Sequence, residues 1–89
     1  MAFTDAEIQE AIAAAQAGGS DDLYKLGLIY STGQGGPVDY VQAHMWFNLA
    51  AMKGSQPAKE SRKELSTQMS PCEIAAAQKS AREWLDRRH

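Results

Sequence analysis

The sequence predicts an all-α fold of about five helices arranged as antiparallel hairpins. Three observations carry this prediction. Leu23, Leu26, Gly27 and Tyr30 recur at i, i+3, i+4 and i+7, the spacing of one buried helix face. Ala43, Trp46, Phe47 and Ala50 repeat the same spacing after a glycine-rich turn. Small residues (Gly27, Ala43, Ala50) alternate with large ones (Tyr30, Trp46, Phe47), as two closely packed helices require for interdigitation. No alternating strand pattern accompanies them.

The elements follow in order. The first helix opens with Thr4 as N-cap and Glu7 three residues later, a capping box, with Phe3 and Ile8 placed for a hydrophobic staple. Ile8, Ala11, Ile12 and Ala15 form its stripe, and Gly18-Gly19 ends it. Ser20 is the expected cap of the second helix, with Asp21 and Asp22 near the positive end of its dipole. Gly33-Gln34-Gly35-Gly36 reads as a left-handed turn; without a following Lys-Ser/Thr it does not read as a phosphate cradle. Asp39 caps the third helix and Gly54 stops it. Pro57 fits the first turn of the fourth, and Ser70-Pro71-Cys72-Glu73 opens the fifth with a second capping box. The stripe of the fifth is Ile74, Ala77, Ala81, Trp84 and Leu85.

The pattern repeats internally. Ala14-Ala15-Gln16-Ala17-Gly18 returns as Ala50-Ala51-Met52-Lys53-Gly54, and Ala43-x-x-Trp46-Phe47 returns as Ala81-x-x-Trp84-Leu85. The chain of 1–89 therefore reads as one domain: a half repeat at 4–18, a full repeat at 20–54 and a degenerate C-terminal capping repeat at 55–88. In that last unit Ser61, Arg62 and Leu65 stand where the full repeat has Leu26, Gly27 and Tyr30, and polar substitution suits a unit on which nothing stacks.

The residues Leu26-Gly27-x-x-Tyr30, Gly33-x-Gly35, Asp39, Ala43-x-x-Trp46 and Ala50-Ala51-x-x-Gly54 resemble the Sel-one-like repeat (SLR), a relative of the tetratricopeptide repeat (TPR). The resemblance is strongest over 23–54. It implies an α/α solenoid of antiparallel helix pairs, a non-enzymatic adaptor role in protein complexes, and a bacterial setting. One departure stands out: Gly36-Pro37-Val38 follows the second turn glycine where the family usually has a hydrophobic residue.

Composition bounds the function. The 89 residues carry a net charge of −2, which argues against nonspecific nucleic-acid binding. Residues 1–45 hold six acids and one lysine, whereas 46–89 hold eight bases and five acids; solvated helix faces produce such a bias, and so do complementary ends. One cysteine excludes an intrachain disulfide. No apolar run reaches the roughly 18 residues of a membrane span, and the N-terminal residues lack a signal-peptide pattern, so the expectation is cytoplasmic.

Catalytic chemistry finds no support. His44 and His89 are too isolated for a metal site, and His44 is expected to face solvent or be partly packed. Cys72 falls in a first helical turn, where a thiol can be activated, but no histidine or second cysteine lies near it in sequence; an ordinary thiol is expected. Trp46 and Trp84, at matched stripe positions, are expected in the core rather than stacked on a ligand. No catalytic residue, metal or cofactor is assigned.

In TPR-like hairpins the first helix of each pair lines the concave face. With Leu23, Leu26, Gly27 and Tyr30 inward, Asp21, Tyr24, Leu28 and Ser31 are expected toward that face. The matching positions of the last unit are Lys59, Lys63 and Ser66. A peptide with apolar anchors and an acidic group would suit them, although Tyr24 and Leu28 could equally complete packing against the first helix. The expected partner is a protein or peptide on this face. A self-associating module (a homo-oligomer) or a regulatory subunit of a larger complex is the alternative, since so few repeats are short of the three or so that stand alone.

Overall fold

The computed structural model describes residues 4–33 and 37–87. They form five helices: α1 (Asp5–Gln16), α2 (Ser20–Thr32), α3 (Tyr40–Met52), α4 (Gln56–Ser66) and α5 (Pro71–Asp86). No strand occurs among the described residues. The architecture is the all-α helical repeat fold that the periodicity predicts.

Local chemistry sets the ends. Both capping boxes form: Thr4 Oγ1 accepts from the Glu7 amide and Ser70 Oγ from the Glu73 amide, each at 3.2 Å, with the glutamates reaching back to the cap amides. Asp39 Oδ1 accepts from the Gln42 amide at 3.1 Å. The expected Ser20 cap does not form. Gly19 is the N-cap and Ser20 the first helical residue, with no side-chain cap bond. α3 ends in a Schellman motif: the Gly54 amide donates to the Ala51 carbonyl and the Ser55 amide to the Ala50 carbonyl, both at 3.0 Å. Ser55 then serves as the N-cap of α4, its hydroxyl accepting from the Ala58 amide. One residue thus closes one helix and opens the next. Gly33 takes the expected left-handed conformation at φ 72°; Gly35 and Gly36, like Phe3 of the expected staple, lie outside the described residues.

α3 is the hub. α2 packs on it most extensively, and α4 and α5 both lean on α3 rather than on each other. The directions follow from paired contacts. Asp39 bonds the Tyr30 carbonyl while Phe47 meets Tyr24, so α3 runs antiparallel to α2. Tyr40 meets Gln68, His44 meets Ser66 and Asn48 meets Arg62, so α4 runs antiparallel to α3 and hence parallel to α2. Being surrounded, α3 buries Ala43 through Phe47 and Leu49 through Ala51, far more than one stripe. Ile29, which the stripe reading of α2 omits, is buried as well. Trp46 is buried and Trp84 half-buried against it, edge to face at 5.6 Å and 80°, a geometry that the ring quadrupoles favour. The outer elements bury less: α5 encloses only Ala77 and Ala81, with Ile74, Trp84 and Leu85 partly covered.

Candidate functional site: a groove between α2 and α4

Parallel α2 and α4 sit on the same side of α3 and leave a cleft between them. Its lining is Leu28 and Ser31 from α2, Tyr40 and Phe47 from α3, and Ser61, Glu64, Leu65 and Gln68 from α4 and the turn after it, around a volume of about 260 Å³. The floor is apolar because it is formed by the buried core residues Phe47 and Leu65. Tyr24 extends the wall one turn from Leu28, its ring 5.7 Å from that of Phe47 and tilted by 42°. Leu28 on the rim is 37% exposed.

The seven residues expected from sequence divide between two surfaces. Leu28 and Ser31 line the groove, Tyr24 adjoins it half-buried, and Asp21 is exposed two turns from Leu28 on the same flank of α2. Lys59 and Lys63 are exposed but lie on the far flank of α4. At about 100° per residue both point well away from Ser61 and Gln68, although Lys63 is only about 100° from its neighbour Glu64. Two parallel neighbours line the cleft between them with opposite flanks, so carrying the α2 flank unchanged onto α4 selects residues outside this cleft. Ser66 is turned toward α3. Helical spacing alone could have found Ser61, Glu64 and Gln68, but it does not say which flank faces α2.

On the α3–α4 side lies a polar cluster that sequence reading missed. His44 is buried at 3% exposure, not solvent-facing; α4 covers it. Its Nε2 lies 3.1 Å from Ser66 Oγ, and the Ser66 hydroxyl donates to the Arg62 carbonyl at 2.8 Å. A hydroxyl has one proton, so Ser66 must accept from His44, which assigns the Nε2–H tautomer. Nδ1 is then buried with no hydrogen-bond partner among the described residues. Burial, and secondly the Arg62 guanidinium, hold the imidazole pKa below its usual value. Arg62 itself donates to Asn48 Oδ1 at 2.7 Å. The pair does not form a nucleophile, because the serine proton points at a carbonyl and not at the imidazole.

Two further concavities are present. One of about 740 Å³ is lined by Ile29, Tyr30, Val38, Val41 and neighbours, and its Asp39 and Glu73 carboxylates each serve a helix cap. Another of about 350 Å³ lies where α1, α3 and α5 meet, against Trp46 and Trp84. No group of three or more His, Cys, Asp or Glu residues able to hold a metal occurs among the described residues. Cys72 is an exposed free thiol. No helix among the described residues is long and apolar enough to cross a membrane.

A central helix gripped by antiparallel neighbours, with a cleft between successive first helices, defines a helical repeat protein. The family model of the Sel1 repeat matches residues 20–55, the α2–α3 hairpin and its closing turn, and together with the five-helix architecture this supports a Sel1-like repeat helical protein. Sel1 repeats are generally protein-interaction modules. Neither the curated proteins nor the solved structures yield a match.

Proposed function

We propose that this chain is a non-enzymatic adaptor that binds a protein or peptide partner in the α2–α4 groove. In this reading residues 20–54 are the full unit, 4–18 a half unit and 55–88 the cap. The observation that carries it is the groove itself: a concavity between two helical rims, floored by the buried side chains of Phe47 and Leu65 and edged by the exposed Leu28. An apolar floor beneath an exposed leucine rim suits an anchor side chain from a partner.

The test uses two surface variants of the full chain in affinity capture from its native lysate, after circular dichroism shows both folded. Leu28→Ser alters the groove rim; Lys59→Glu/Lys63→Glu alters the far flank of α4. A partner retained by the second and lost from the first supports the groove. Loss from the lysine variant alone moves the binding surface to that flank and overturns the assignment.

Self-association is the second reading, favoured by the partly covered Ile74, Trp84 and Leu85 of α5. It requires a melting midpoint that rises with protein concentration. A constant midpoint over a hundredfold dilution removes it.

A further inference from the structure

Among the described residues, the groove has one charged side chain in its lining, Glu64. Its carboxylate forms no ion pair among those residues. Glu60, one turn earlier, is exposed on the same flank of α4, so this rim carries two acids at i and i+4. The basic residues of α4 are elsewhere: Arg62 is tied to Asn48 beside α3, and Lys59 and Lys63 occupy the far flank. Of the charged residues of α4, Glu64 is thus the one that lines the groove.

The remaining polar lining is suited to main-chain recognition. Tyr40 Oη donates to Gln68 Oε1 at 3.3 Å, which leaves the Gln68 amide nitrogen as a donor. The Ser61 hydroxyl makes no hydrogen bond among the described residues. Both groups can give a proton to a peptide carbonyl. The volume of about 260 Å³ is smaller than the usual pocket for a small molecule or cofactor. It suits one anchoring side chain with its flanking backbone.

We propose that the groove accepts a basic peptide segment, in which an apolar side chain enters between Leu28, Phe47 and Leu65 and an adjacent Lys or Arg pairs with Glu64. This rests on the adaptor reading and reverses the charge that the lysines of α4 had suggested. The argument is charge complementarity: a cation beside the anchor meets an unpaired acid, whereas an acidic residue there meets like charge.

The experiment is fluorescence polarisation of the full chain with three labelled nine-residue peptide pools. All share a central Leu, Met or Phe and differ only in flanks: Lys/Arg, Asp/Glu or Gln/Ser. The basic pool is expected to bind most tightly. Glu64→Gln should weaken it about threefold to fivefold, the upper range of an exposed ion pair. Glu64→Lys should weaken it roughly tenfold and make the acidic pool the better ligand. Glu10→Lys, the same charge reversal on α1, should change nothing and so separates the groove from general attraction to an acidic chain. Equal binding of the acidic or neutral pool, lost in Leu28→Ser, overturns the basic preference and leaves the groove standing. Binding indifferent to both Leu28→Ser and the Glu64 variants, or none with any pool, overturns the charge inference and the groove together.

Discussion

The ring of Phe47 occupies the space into which a side chain at Gly27 would grow. A β-carbon on Gly27 would overlap Cδ1 and Cε1 of Phe47 and come within 2.9 Å of its Cγ. This contact sets the distance between α2 and α3, and since Phe47 also floors the groove, the same glycine positions the candidate site.

Gly27→Ala is therefore expected to destabilise. At an exposed helical site the change would gain up to about 1 kcal/mol from propensity. Here overpacking should cost about 1–3 kcal/mol, because the ring is held by Tyr24 and the core around it. A double-mutant cycle with Phe47→Leu checks it by urea denaturation. The alanine penalty should shrink when the ring is gone, and additive penalties would sink the account.

Gly54 is required for a different reason. It has φ 99°, and among the described residues no atom lies within 4 Å of the position a β-carbon would take there. The cost of Gly54→Ala is thus purely conformational, about 1–2 kcal/mol. Gly54→Asn should recover part of it, since Asn tolerates the left-handed region better. Equal losses for Ala and Asn, measured by urea denaturation, would point to something other than φ.

His44 makes stability depend on pH. Its folded pKa lies below 6.5 through burial and then Arg62, so below the unfolded value the unfolded chain binds a proton that the folded chain resists. The unfolded state holds more protons in that window, so stability falls as pH drops from about 6.5 through the folded pKa. Denaturation midpoints at about pH 7 and about pH 5.5 should differ in this sense. His44→Gln, which keeps a donor for Ser66 without titrating, should flatten the difference; an unchanged slope would exonerate His44.

Ser70→Ala tests the last helix. α5 buries only Ala77 and Ala81 completely, so its capping box matters more than on a well-packed helix. A loss of about 1 kcal/mol is expected, with earlier amide-exchange opening in 71–86 than in α3. Uniform loosening of all five helices would contradict it.

Sequence by itself determined the helices and most of their ends, the start of α2 excepted, where Gly19 and not Ser20 is the cap. Capping boxes, glycine stops and period-3.6 stripes are local signals, acting within four residues, and they place α1 to α5 and the matched repeat without tertiary information. Tertiary structure alone decided what three neighbours do to one helix. His44 and Met45 lie off the α3 stripe yet are buried, because α2, α4 and α5 enclose that helix on several sides. It also decided which flank of α4 faces α2, placing Glu64 at the groove and Lys59 and Lys63 away from it. Helical periodicity identifies an inward face but treats the two flanks beside it alike. Only the packing of a parallel neighbour distinguishes them.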